Sequence, residues 1–401
     1  MHRGLLVTAV VLLAGGPAWG QSPQSADLTE QVKSLLERVG QLEKRVAELE
    51  AKQPVASVVT VMSNKMGATQ KPTAEQTAPQ PALANPMEGH MDQATTEQAE
   101  THYPSLQIRG FGDADFSATD QHGTTSSFYP RGFYLGQLDL HLASALSRKV
   151  SYFGEVTFNA HPTGYTVEVE RSIVRFDYND FFKLSFGRYH TPIGYWNTAF
   201  HHGAWLQTTT DRPEMVKVGG IFTPIHFVGF LAEGNIPSGG AGLAYSVGVG
   251  NGRGDMISRP GDAGDINNNR AWVANVFARP PKLYGLQFGG SVYRDKISLG
   301  GGNDFREWIA SAHLVWTRGD PEFLAEFENV NHQSILTNKV SNSDAFYVQL
   351  GYRLPRMEKT LKPYYRFEYM HTPKSDVVFG NLDLVESIAG LRYDISSYAA
   401  F

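Results

Sequence analysis

The chain has 401 residues, among them 40 Gly and no Cys, with 41% hydrophobic, 12% aromatic and 19% charged residues, against about 25% charged in ordinary soluble domains. That profile excludes a disulfide scaffold and argues against a helical enzyme. Thirty-five Lys plus Arg against 40 Asp plus Glu give a formal net charge of −5, without the basic excess that holds nucleic acid through counterion release.

Residues 1–20 read as a signal peptide. Met1, His2 and Arg3 form a basic start, residues 5–13 an apolar core too short to span a bilayer, and Ala18-Trp19-Gly20 a small-x-small cleavage site. The alternative of a buried N-terminal helix is disfavoured by Gly15, Gly16 and Pro17. No later stretch has the roughly 18 consecutive apolar residues that a membrane helix requires, so a membrane-embedded mature chain has to cross with strands.

Residues 21–52 carry a heptad seam. Leu28, Val32, Leu35, Val39, Leu42, Val46 and Leu49 alternate by four and three, placing Val at a and Leu at d. Arg38 and Arg45 fall at g, and Glu43 and Glu50 at e, which suits parallel self-association. Branched a positions with Leu at d favour two helices, whereas Leu36 at e widens the seam and favours three; an amphipathic helix packed on its own domain is the plainer alternative. Residues 53–102, rich in Pro, Gln, Thr, Ala and Glu, read as a flexible tether.

From residue 103 to 401 the texture is that of strands with one apolar and one polar face. Phe346, Val348, Leu350 and Tyr352 oppose Tyr347, Gln349 and Arg353; Trp308, Ala310, Ala312, Leu314 and Trp316 oppose Glu307, Ser311 and His313. Leu138, Leu140 and Leu142 oppose Gln137, Asp139 and His141, and Tyr365, Phe367 and Tyr369 oppose Tyr364, Arg366 and Glu368. Fourteen strands are expected, near 106–116, 132–146, 150–158, 166–178, 182–190, 225–234, 242–252, 270–279, 284–293, 305–316, 321–330, 343–354, 361–370 and 384–394. Lengths near ten residues match a tilted membrane strand of about 9–11 rather than the five or six usual in soluble sheets. Short joins after even strands, as at Ser147-Arg148-Lys149, alternate with mostly longer ones after odd strands, as at residues 191–224. That parity predicts an outer-membrane barrel with short periplasmic turns; a soluble sandwich or solenoid is the alternative.

Leu106-Gln107-Ile108-Arg109-Gly110-Phe111 and Phe186-Gly187-Arg188-Tyr189-His190-Thr191-Pro192-Ile193-Gly194, behind an exported coiled coil, resemble the phosphate-selective porin O and P family. The resemblance spans about residues 28–401 and is sharpest in the glycine-arginine-aromatic-x-x-Pro-x-Gly turn at 187–194. It implies a homotrimer of barrels of about sixteen strands, each with a pore narrowed by an infolded third loop, and N-terminal helices in the periplasm. Here the third loop is residues 191–224, with His190 at its root and His201, His202, Arg212, Glu214 and Lys217 along it. Arg171, Arg175, Arg188, Arg366 and Arg392 are the candidates for a basic wall, with Glu326, Glu328 and Asp139 facing the same water.

The chain departs from that family in two respects. Eight of its basic and 11 of its acidic residues precede Tyr103, leaving 27 against 29 in the barrel, a net charge of −2 where phosphate-selective members resemble one another in a strongly basic pore. The end also differs: Ser396-Ser397 reads as a turn and residues 398–401 as the opening of a fifteenth strand, so the family pattern expects a further hairpin and a barrel lacking its last strands.

Other chemistry is thin. His190, His201 and His202 lack zinc-like spacing, and Asp255, Asp262, Asp265 and Asn267 do not follow a helix-loop-helix calcium loop. The glycines from Gly248 to Gly254 are followed by no helix and read as a strand end rather than a phosphate cradle. No metal, cofactor or catalytic residue is called for. The expectation is a passive channel for small hydrophilic solutes, with an anion or phosphate preference if the arginines line its narrowing. The competing expectation is a structural barrel, plugged by its loops, that anchors a periplasmic stalk. Deleting residues 28–49 is expected to dissociate the oligomer on native gels while leaving the heat-modifiable migration of the barrel intact.

Overall fold

The computed structural model describes Gln41, Lys44 and residues 103–118, 132–161, 164–200, 206–253, 257, 264–265, 267–318 and 320–401. Gln41 and Lys44 are helical; the signal peptide, the rest of the coiled-coil seam, the tether, His201 and His202 lie outside the described residues.

The remainder is one antiparallel sheet in which every strand pairs with the next. The strands are β1 (Gln107–Ser117), β2 (Gly132–Ala145), β3 (Val150–His161), β4 (Gly164–Asn179), β5 (Phe182–His190), β6 (His226–Ile236), β7 (Leu243–Asn251) and β8 (Ala271–Ala278). They continue as β9 (Leu286–Ser298), β10 (Asp304–Trp316), β11 (Glu322–Ser334), β12 (Val340–Gly351), β13 (Leu361–Thr372), β14 (Leu382–Ser396) and β15 (Ala399–Ala400). Period two in the sequence thus marks fourteen long strands, and the short β15 folds back on β14. β9 runs on to Ser298, beyond the expected end near residue 293 and through Arg294, Asp295 and Lys296. Its ladder with β10 continues through all three, and Asp295 is 3% exposed on the inner face, so charge does not end a strand whose interior is polar.

The two faces are inverted relative to a soluble protein. One outward row crosses five strands in register as Val174, Phe186, Phe230, Val249 and Trp272, the first four each between 45% and 54% exposed. Exposed Trp308 and Trp316 lie on the same face of β10. The opposite face buries charge: His313, Glu326, Tyr347 and Glu368 form a cross-strand row from β10 to β13, each 5% exposed or less. Water on both sides would not stabilise this arrangement. A hydrocarbon outside and a polar interior do, which is the signature of a membrane-spanning β-barrel.

Residues 191–200 and 206–225, between β5 and β6, turn inward and reach Ser291 of β9, Glu326 of β11, Glu368 of β13 and Arg392 of β14. A single loop touches strands so far along the sheet because the sheet wraps around it. No ladder joins β1 to β14 among the described residues, so these interior contacts, rather than a closing seam, define the wrap.

Val292, at the middle of the outward face of β9, is 41% exposed. Val292→Arg is expected to cost about 2–4 kcal/mol in refolding into lipid vesicles, whereas Leu336→Arg, in the turn after β11, is expected to cost about 0–1 kcal/mol.

Candidate functional site

The inward loop, hereafter the strap, begins where β5 ends. Asn197 stitches its two ends together, its amide donating to the carbonyls of Thr191 and Ile225 at 2.9 Å each. Gly194 adopts φ +65°, a left-handed conformation that glycine favours, and a Cβ there would collide with the Glu326 carboxylate. The chain then enters one helical turn, α1 (Trp196–Ala199). Its leading N–H groups, from Tyr195 at 2.5 Å and Trp196 at 2.8 Å, donate to Glu326, which also accepts from the Tyr347 hydroxyl at 2.5 Å. Three donors on one buried carboxylate hold the strap to β11. Trp196 packs edge-on against Tyr347 and against Phe200, so an apolar seat surrounds the polar latch.

Further latches follow along the strap. Thr208 donates to Glu322 at 2.7 Å, and Lys362 donates to both Thr208 and Glu322. Arg366 is anchored by Glu368 at 2.6 Å and donates to the Thr209 hydroxyl and to the carbonyls of Asp211 and Arg212. Arg392 donates to the Gln207 carbonyl, the Glu214 N–H to Glu368, and the Thr223 hydroxyl to Glu328. The strap therefore lies against β11, β13 and β14.

On the facing wall, two carboxylates gather the basic groups. Glu155 of β3 takes Arg171 at 2.5 Å and His141 at 3.0 Å, with His190 at 3.7 Å. Glu170, in the bulge of β4, takes His226 at 2.7 Å and Arg188 at 3.8 Å, and accepts from Thr157. Arg212, from the strap, adds its charge to Glu170; burial draws its guanidinium down to about 10, partly offset by that carboxylate, so it stays cationic at neutral pH.

A second buried network ties an outer loop to the wall. Both ring nitrogens of His332 face carboxylates, Glu307 at 2.9 Å and Asp376 at 2.9 Å, and Arg253 donates to Glu307 at 2.9 Å. Burial works to raise the Asp376 carboxyl, but hydrogen bonds from His332, Phe379 and Ser343 hold it below the ordinary range.

These contacts place the residues singled out from sequence. Arg171, Arg188, His190 and Arg212 converge on one wall, whereas Arg366 and Arg392 grip the strap. Arg175 stands apart, paired with Asp177 at 2.9 Å, and Lys217 pairs with Glu214 within the strap. The expectation that Glu326, Glu328 and Asp139 face water is corrected: they point inward but are 2%, 0% and 0% exposed. Of the candidates for a basic wall, Arg171, Arg175 and Arg366 are 3%, 2% and 0% exposed, and Arg171, Arg175, Arg366 and Arg392 all pair with carboxylates. Sequence reading missed Glu155, Glu170 and His226 as hubs, and Asp113, Asp115 and Asp211 as water-facing acids. No group of three or more metal-ligating side chains is assembled among the described residues.

No protein-family model matches the chain, and no curated protein does. Among solved structures, the chain is similar to the anion-selective porin from Comamonas acidovorans, at 11% identity over 73% of this chain and 85% of that one, with a TM-score of 0.49. It is similar to OmpF of Salmonella typhi at 12% identity over 73% and 86%, with a TM-score of 0.48. It is also similar to the outer membrane channel DcaP of Acinetobacter baumannii at 14% identity over 74% and 89%, with a TM-score of 0.49. The functional reading rests on the geometry of this chain.

Glu326→Ala would leave two buried N–H groups and the Tyr347 hydroxyl without their acceptor, at about 1–3 kcal/mol each. Limited proteolysis in detergent is expected to cut residues 191–225 in this variant while heat-modifiable migration persists, with Glu326→Gln intermediate.

Proposed function

We propose that this chain is a passive outer-membrane channel for small hydrophilic solutes, a homotrimer whose residues 21–52 form a coiled coil in the periplasm. The observation that carries the reading is the inverted sheet with a strap latched to one side of its interior. The apolar outer face matches lipid, and the polar inner face is the wall such a channel needs. The strap covers β11 and β13, while Arg109, Asp113 and Asp115 of β1 and Glu386 of β14 keep half-exposed or exposed positions on the inner face. Those side chains line the route left for a solute. No residue is asked to react: the strap sets size and the remaining charges set sign.

A structural barrel that anchors a periplasmic stalk is the second reading, and one observation favours it. Most interior charges are paired, as a plugged interior expects. Against a plug, the strap adds mainly N–H groups, carbonyls and hydroxyls rather than counter-charges to these pairs, which form within the wall, as Arg171 with Glu155 of the neighbouring strand and Arg366 with Glu368 of its own. An anion or phosphate preference, which the family resemblance implies, needs arginines facing the route, and all five candidates are engaged by wall carboxylates or by the strap.

Full-length protein reconstituted in a planar bilayer is expected to give discrete conductance steps, grouped in threes. Silence from protein shown to be folded by heat-modifiable migration would support the anchor reading instead.

A further inference from the structure

The channel reading leaves the sign of the solute open, and the distribution of charge inside the barrel addresses it. Among the described residues, the buried charged groups comprise ten carboxylates against five Lys and Arg, with five histidines. Arginines that would attract anions are turned into the wall: Arg171 to Glu155, Arg366 to Glu368 and Arg392 to Asp394. At the water, Asp211 stands exposed on the strap and Asp113 and Asp115 half-exposed on β1, while Lys217 of the strap is paired with Glu214.

Asp113 and Asp115 project inward from β1, the first opposite a bulge in β2 formed by Gly136 and Gln137. Both carboxylates lie over Gly136 of β2, where a Cβ would approach Asp115 Oδ2 to 2.6 Å and collide with Asp113. The glycine is the space in which the two acids fit. Asp113 also accepts from the Gln137 N–H at 3.3 Å. Asp211, exposed on the strap, lies in the field of Arg366 and Lys217 and, more weakly, of Asp115. Its neighbour Arg212 is directed to Glu170 instead. Arg109 shares the inner face of β1 but lies four residues away from Asp113, about 13 Å by strand rise, and Glu386 adds another exposed carboxylate on β14.

We infer that the channel prefers small cations, with Asp113 and Asp115 on one side of the route and Asp211 on the other as the residues that determine the sign. The inference rests on the channel reading and deepens it. Carboxylates that line a solute route raise the local concentration of cations and repel anions. They act as a field rather than as a cage, since an ion held in place would not pass on.

The test is the reversal potential of the full-length protein in a planar bilayer under a KCl gradient. The expected sign is that of potassium crossing faster than chloride. Asp211→Asn, a change on the strap that leaves the wall intact, is expected to move the potential toward zero, and Asp113→Asn with Asp115→Asn to move it further. Gly136→Ala, which displaces the two wall acids, is expected to shift it as well. A chloride-selective sign, or a potassium-selective sign unmoved by all of these variants, would overturn the inference while leaving the channel reading standing. Absence of conductance from folded protein would remove both.

Discussion

A carboxylate without water needs donors, and much of this interior follows from how Glu326 obtains them. It sits on the inner face of β11, 2% exposed, and its three donors come from Tyr347 on the next strand and from Tyr195 and Trp196 at the first turn of the strap. The strand supplies the acceptor, the loop supplies unpaired N–H groups at a helix start, and neither is satisfied alone. Gly194 has no side chain at the point of closest approach, and Asn197 closes the base of the loop. With those fixed, the strap has little choice but to run along β11 and β13, where Glu322, Glu368 and Arg366 meet its remaining polar groups.

The strands were legible in the sequence because a barrel wall is a local pattern. Alternation at period two requires only neighbouring residues, and one side of each strand meets lipid throughout. The expected strand at 284–293 stops short of Arg294, Asp295 and Lys296, although an inner face accommodates their charge and the ladder runs on through them. The interior itself was much less legible. Tyr195 lies 131 residues from Glu326, and Glu214 lies 154 residues from Glu368, so no local spacing announces either contact. Arginines were identified as inward-facing, but which carboxylate each would meet depends on the register of neighbouring strands.

One signal was available and went unused. Asp113 and Asp115 are two residues apart, so on a strand they share a face, and the extra residue of the bulge opposite Asp113 belongs to β2. A glycine at 136 on the neighbouring strand is the complement of that pair. By contrast, nothing in the sequence brings Asp211 near Asp115, since the strap must first be folded inward.

Total charge therefore says little about what such an interior presents to a solute. The barrel is nearly balanced, at 27 basic against 29 acidic residues, yet pairing does not cancel uniformly along the wall. Arginine is suited to this unevenness: its planar fork binds a carboxylate at one edge and backbone carbonyls at another, as Arg366 does between Glu368 and the strap. A cation used as a structural clamp is withdrawn from the solute route, whereas the short Asp side chains of β1 have no such reach and stay at the water. The same pairs that hold the strap in place thus withdraw most of the arginines from the solute route, along which Asp113, Asp115 and Glu386 stand with Arg109.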